Sequence, residues 1–361
     1  MAKKIKVLIV DDSAVVRKIL STGLSRDQGI EVVGTAADPF IARDKILNLR
    51  PDVITLDVEM PRMDGISFLQ RLMTYYPLPV IMVSSLTQAG CETTLKALEV
   101  GALDFVAKPS QDVSQTLNEI VTELAEKVKE SANVKVKKTE YAKNTDHKDT
   151  NIRRTQSTHA LINSTHKIVA IGASTGGTEA LKEVLVQMPP DAPGILIVQH
   201  MPQLFTKSFA DRLNSLCSIE VREAKDGDSI FPGLALIAPG NYHMELRRNG
   251  ARYYITTNQE PPVRRHRPSV EVLFESVAKY AGANAVGVIM TGMGDDGAKG
   301  LLKMKDSGAK TIAQDEDSCV VFGMPKEAIK LSAVDEIVPL NKITPSILTS
   351  LEKKTPQTLL C

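Results

Sequence analysis

IVAIGASTGGTEALKEVLVQM, residues 168–188, changes its periodicity part-way along. It opens as an unbroken apolar run, as a strand covered on both faces must be. Glycines then crowd GASTGG, and beyond Thr178 the apolar side chains return at helical spacing. Strand, tight turn and helix make one βα step. Outward from it, GILIVQHM (194–201), LALIAPG (234–240), RYYITT (252–257), AVGVIMTG (285–292) and KTIAQD (310–315) repeat the strand pattern. LFTKSFADRLNSL, SVEVLFESVAKYA, KGLLKMKDSG and PKEAIKL read as helices among them. This alternation predicts a doubly wound, mostly parallel α/β domain over 167–361, with its strand order left open.

A second α/β pattern occupies residues 1–130. Its strands read IKVLIV (5–10), IEVVGTA (30–36), DVITLD (52–57), PVIMVSS (79–85) and LDFVAK (103–108). Helical segments lie between, such as SAVVRKILSTGL with Ser13 as its N-cap. Five βα repeats predict a five-stranded parallel sheet with its site at the C-terminal strand ends. Residues 131–166 differ in kind. From Lys135 to His166 large apolar side chains almost vanish, and no period survives. Such a composition buries too little surface to offset ordering entropy, so a flexible, mildly basic linker is expected. A coil of about 30 residues spans roughly 30 Å, enough for two domains to dock or separate.

Composition narrows the function. Net charge is +1, tryptophan is absent and aromatic residues make up 4%, which argues against nucleic acid as a partner. Cys91, Cys217, Cys319 and Cys361 form no CxxC pair and read as free thiols in a reducing compartment. MAKKIKVLIVDDS is too short in its apolar run for a signal peptide, and no stretch suits a membrane span. The expectation is a cytoplasmic protein that is not membrane-inserted, with a monomer as the simplest state.

In the first domain the strand ends carry Asp11 and Asp12, then Asp57, then Ser84 and Ser85, then Lys108. Three carboxylates at one sheet edge repel one another unless a hard cation such as Mg²⁺ sits among them. Asp57 then suits a nucleophile toward a phosphoryl group, with Lys108 and a serine hydroxyl on the phosphoryl oxygens. DDS (11–13), LDVEMPRMDG (56–65), SS (84–85) and KP (108–109) resemble the receiver domain of two-component response regulators, over about 120 residues. The resemblance implies a flavodoxin-like five-stranded domain, phosphorylated on Asp57 by a histidine kinase. It implies Asp12 as a direct metal ligand, Asp11 acting through water and the Glu59 carbonyl as a further ligand. Ser84 fits the switch hydroxyl better than Ser85, and Phe105 falls at the switch aromatic.

In the second domain Gly172–Gly176 matches G-x-S-x-G, which sets a serine hydroxyl on a sharp strand-to-helix turn. The string alone equally suits a phosphate-binding turn. Two distant residues favour the serine reading. His200 lies at the end of GILIVQHM, and Asp295 and Asp296 follow AVGVIMTGMG. Ser174, His200 and one of these aspartates would form a nucleophile, a base and an orienting acid. Their chain order is not that of the α/β-hydrolases. GASTGG, QHMP (199–202), RPSV (267–270), TGMG (291–294) with DDGAKG, and QDE (314–316) resemble the catalytic domain of the chemotaxis protein-glutamate methylesterases.

That resemblance implies Ser174 as nucleophile, His200 as base and Asp296 as acid, with the Met293 N–H and Thr175 as oxyanion candidates. Thr175 is a helix N-terminal residue first. Asp295 stands where the family usually has asparagine, which leaves the choice of aspartate less clean. The implied activity is phosphorylation-activated hydrolysis of glutamate methyl esters on methyl-accepting chemoreceptors, with deamidation of specific glutamines at the same site. No cofactor is implied for the esterase domain. Arg264, Arg265, His266 and Arg267 form a basic cluster that suits acidic receptor helices or plain solvation. His243 reads as a satisfied loop histidine. A DNA-binding output domain would need a small basic module, and the second domain is too large and too glycine-rich at its strand ends for one.

Overall fold

A computed structural model describes residues 3–108, 114–134, 136 and 167–351. The first domain holds strands β1 (Ile5–Val10), β2 (Ile30–Ala36), β3 (Val53–Asp57), β4 (Val80–Ser84) and β5 (Asp104–Ala107). Helices α1 (Ala14–Leu24), α2 (Pro39–Leu49), α3 (Gly65–Tyr75), α4 (Gln88–Val100) and α5 (Ser114–Ser131) alternate with them. The sheet is parallel in the order β2-β1-β3-β4-β5. Strand β1 shows why both faces must be covered. Val7 and Ile9 enter a core shared with Leu20, Leu24, Leu124 and Val128, while Leu8 and Val10 enter the opposite core with Ala42, Ile46 and Leu69. The helix starts are capped as the local sequence dictates. Ser13, Asp38, Asp64 and Thr87 each accept a backbone N–H of the following turn.

The second domain holds β6 (Ile168–Ala173), β7 (Gly194–Gln199), β8 (Glu220–Glu223), β9 (Leu234–Ile237), β10 (His243–Asn249), β11 (Arg252–Asn258), β12 (Ala285–Ile289), β13 (Lys310–Gln314) and β14 (Glu336–Val338). Its helices are α6 (Gly177–Val186), α7 (Phe205–Leu216), α8 (Val270–Tyr280), α9 (Ala298–Asp306), α10 (Met324–Lys330) and α11 (Ile343–Leu351). Seven strands form a parallel sheet in the order β14-β13-β12-β6-β7-β9-β8. β12, β6 and β7 lie side by side at its centre, so the loops at their C-terminal ends share one rim.

Two expectations need correction. RYYITT is a strand, but it belongs to a separate antiparallel pair, β10 with β11, joined at Asn249 and Arg252. The polar strand HMELRRN carries no unbroken apolar run, which hid that hairpin. His243 is not a loop residue; it opens β10 at 1% exposure, its Nε2 3.2 Å from the Pro261 carbonyl. Most of the expected linker, and the chain end from 352, lie outside the described residues, and so does Pro109. Among the described residues no helix is long and apolar enough to cross a membrane.

Candidate active site

Ser174 directly follows β6, His200 directly follows β7, and Asp296 lies in the loop after β12. The turn at Ser174 is tied in place by backbone. Its N–H donates to the Thr291 carbonyl at 3.0 Å, and its carbonyl accepts Gly177 N–H at 2.7 Å and Gln199 Nε2 at 2.9 Å. Gly176 takes φ 78°, a left-handed conformation that a side chain disfavours. A Cβ on Gly177 would stand 2.1 Å from Gln199 Oε1, so both glycines are required by the turn.

His200 Nδ1 lies 3.1 Å from Ser174 Oγ, and His200 Nε2 lies 2.8 Å from Asp296 Oδ2. Asp296 is 1% exposed, yet it is surrounded by donors. Oδ1 accepts Ser269 Oγ–H at 2.7 Å and Glu271 N–H at 3.1 Å; Oδ2 also accepts Val270 N–H at 2.7 Å. The carboxylate thus closes the N-terminus of α8, where backbone dipoles favour an anion. Burial pushes its pKa up, but the His200 hydrogen bond and charge, with Ser269 and Val270, outweigh burial and hold it below the usual carboxylate value. Asp295, next in sequence, turns away to Arg264 at 3.0 Å.

His266 stacks on His200 with ring centroids 3.7 Å apart and planes 8° from parallel. Burial, and then the adjacent His200, depress its pKa to about 3. The turn that holds His266 is strained. Val263 and His266 exchange two backbone hydrogen bonds, and Arg264 and Arg265 between them take φ 52° and 66°. Such a turn normally calls for Asn-Gly. The Thr175 hydroxyl donates to Asp104 of the first domain. Near Met293, a Cβ on Gly292 would stand 2.7 Å from Ser174 Cβ, so the 292–293 backbone runs directly past Ser174.

At the other rim, Asp11, Asp12 and Asp57 bring one oxygen each within 4.8 Å of the others. Lys108 Nζ lies 2.7 Å from Asp57 Oδ2 and 3.4 Å from Asp11 Oδ2. Asp57 Oδ1 accepts Glu59 N–H at 3.1 Å. Burial drives Asp57 up to about 6, partly countered by the Lys108 hydrogen bond and reinforced by Asp11. Burial likewise raises Asp11. Burial opposes the charge on Lys108, but Asp57 and Asp11 together raise its pKa. Asp11 Oδ2 is buried without a hydrogen bond. One ammonium against this set of oxygens leaves capacity for a divalent cation, which is the donor chemistry Mg²⁺ requires. A Cβ on Gly65 would meet the Asp57 carbonyl at 2.1 Å, so the loop folds tightly over the pocket. The Ser84 hydroxyl points to the carbonyls of Gly90 (3.3 Å) and Ser85 (3.4 Å), and the Ser85 hydroxyl to Thr87.

Two family descriptions match the chain: a response regulator receiver domain over residues 7–121, and a CheB methylesterase over residues 169–347. A protein-glutamate methylesterase/protein-glutamine glutaminase of Syntrophus aciditrophicus is 59% identical over 95% of this chain and 98% of its own length. One from Geobacter metallireducens is 54% identical over 97% of each. The chain belongs to this family of receiver-linked methylesterases. The solved Thermotoga maritima CheB methylesterase catalytic domain matches 51% of this chain and 98% of its own at 39% identity, with a TM-score of 0.50.

In this family member the two domains meet over the esterase rim. Phe105 on β5 stacks on Phe205 of α7, centroids 4.3 Å apart. Glu99 on α4 pairs with Lys182 at 2.9 Å and also with Arg212. Glu126 on α5 pairs with Arg265. Asp104, which takes the Thr175 hydroxyl, is also held by Lys127 at 2.9 Å. Sequence reasoning singled out neither Ser269 nor the stacking role of His266. Ser269 sits inside RPSV, so a hydroxyl at the start of a helix was in view, but its partner 27 residues later was not.

Proposed function

We propose that the chain hydrolyses glutamate 5-O-methyl esters on methyl-accepting chemoreceptors, under control of phosphorylation at Asp57, and deamidates specific glutamines at the same site. The observation that carries this is the hydrogen-bonded line Ser174–His200–Asp296 on a rim covered by a receiver domain. Asp296 is an ionised acceptor, so His200 Nε2 must hold a proton and Nδ1 must be free. Nδ1 then takes the Ser174 proton as Oγ attacks the ester carbonyl. The oxyanion falls beside the Met293 N–H, our candidate donor, with Thr175 as the second. Nδ1–H protonates the leaving methoxide, which departs as methanol. Water attacks the acyl carbonyl as His200 takes its proton; the acyl C–Oγ bond then breaks, His200 returns the proton to Ser174 Oγ, and a glutamate side chain is released. An amide substrate runs the same course and releases ammonia.

In the receiver, an Asp57 oxygen attacks the phosphorus of a phosphohistidine on the kinase; the P–N bond breaks and the kinase imidazole leaves, giving an aspartyl phosphate. Asp11, Asp12, Asp57 and the Glu59 carbonyl would hold Mg²⁺, which when bound neutralises charge on the phosphoryl oxygens. Lys108 steadies those oxygens, and Ser84 turns from Gly90 to meet them. Phe105 follows, loosening its stack on Phe205 and uncovering Ser174. The division into 1–130, a 131–166 linker and 167–361, with a monomeric, cytoplasmic chain, completes this reading; the esterase chemistry calls on no cofactor.

Methanol release from methylated receptor membranes tests it, with and without a small phosphodonor. Release that rises with the phosphodonor is expected. Absence of release from wild-type protein overturns the activity, and release indifferent to the phosphodonor overturns the control.

A further inference from the structure

The receiver does more than obstruct the rim; it presents chemistry of a definite kind there. Glu123, Glu126 and Glu130 recur at i, i+3 and i+7 on α5; Glu123 is taken by Lys127 of its own helix at 3.2 Å, and Glu126 is the one that reaches the second domain. Glu126 from that face pairs with Arg265, and Asp104 beside it takes the hydroxyl of Thr175, the neighbour of Ser174. Of the esterase's three clustered arginines, Arg264 is held by Asp295 and Arg267 by Asn241 and the carbonyls of Gln259 and Glu260. Arg265 alone reaches across to the other domain, with a side chain still 77% exposed. The strained turn that carries it also carries His266, stacked on the catalytic histidine, so Arg265 is anchored one residue from the site.

From this we infer that Arg265 marks a docking surface for an acidic helix of the receptor substrate, and that α5 holds that seat as an internal mimic until the receiver leaves. The inference rests on the proposed activity and deepens it. Each turnover leaves a glutamate carboxylate on the substrate, the same group that Glu126 presents to Arg265. Whatever replaces the receiver at this rim must therefore offer Arg265 a carboxylate, as Glu126 does.

The test compares full-length wild type, Arg265→Glu, Glu126→Arg and the double variant on two substrates: methylated receptor membranes and a small glutamate γ-methyl ester. Without phosphodonor, each single variant should raise small-ester turnover, and the double variant should restore the wild-type restraint. With phosphodonor, the ratio of receptor to small-ester kcat/KM should fall roughly ten-fold in Arg265→Glu and in the double variant, because a reversed charge at a docking rim slows encounter. Glu126→Arg should keep the wild-type ratio. An unchanged ratio in Arg265→Glu overturns the inference. Should that variant not fold, salt decides with wild type alone: receptor kcat/KM must fall with ionic strength more steeply than small-ester kcat/KM, and parallel slopes overturn it. Wild-type protein that hydrolyses neither substrate defeats the parent activity instead, a separate outcome.

Discussion

Asp57 and Asp296 are the same residue at the same burial, each 1% exposed at the C-terminal rim of a parallel sheet, and their acidities move in opposite directions. The difference lies in what surrounds them. Asp296 has a donor on every side: a hydroxyl, two backbone N–H groups and an imidazole. Asp57 has one N–H and one ammonium, and it shares the ammonium with Asp11. A satisfied buried carboxylate stays charged and orients its partner; an under-satisfied one waits for a cation. The hydrogen bonding of Asp296 is complete as it stands, whereas the receiver pocket has room for a further partner.

Asparagine at 296 is the harshest test of that contrast. In Asp296→Asn the one amide oxygen must serve donors now shared by two carboxylate oxygens, and the imidazolium formed when Ser174 attacks loses its counter-charge. We expect kcat to fall about 10⁴-fold, near the loss from Ser174→Ala, with a stability loss of about 1–3 kcal/mol because the amide nitrogen must face a buried backbone N–H. A fall under ten-fold would show that the charge at 296 is not what supports His200.

The Asp57 pocket is tested by pH. Its pKa rises from 3.8 unfolded to about 6 folded. The native state therefore binds more protons between these values, and stability from this group is present below pH 4 and lost as pH rises through 6. About 2 units correspond to roughly 3 kcal/mol. Metal-free Asp57→Asn should thus melt above metal-free wild type at pH 7.5, with the gap closing near pH 4. Mg²⁺ should raise the wild-type Tm more at pH 7.5 than at pH 5 and leave the variant almost unmoved. Equal Mg²⁺ responses at both pH values would break the argument.

The two sites also differ in how far the bare sequence discloses them. The receiver's groups all stand at or just beyond the ends of short apolar runs, so strand periodicity alone gathers Asp11, Asp57, Ser84 and Lys108 at one edge. Ser174 and His200 follow from the same rule. Asp296 does not end its strand; six residues lie between it and Ile289, and only its motif distinguished it from Asp295. Ser269, His266 and the Asp104–Thr175 contact came from no periodicity, because each depends on loops or on the meeting of two domains. The β10–β11 hairpin was half missed for a related reason: its strands are polar on one side and escape a search for buried runs.

Ser269→Ala is the mildest and most discriminating of these tests. The hydroxyl donates to Asp296 Oδ1 at 2.7 Å from a position with no exposure, so its loss leaves that oxygen with only the Glu271 N–H at 3.1 Å. A hydrogen bond to a charged group contributes about 1.5–3 kcal/mol. Here the Val270 N–H and the imidazole remain on Oδ2, and the start of α8 still favours the anion, so the lower end applies. The expected result is a kcat reduced about ten-fold with KM nearly unchanged, because Ser269 orients the acid and touches no substrate. A proportional rise in KM would place the residue in binding instead. An unchanged kcat would mean that the helix start alone holds Asp296, making the difference between the two carboxylates a matter of backbone rather than of side chains.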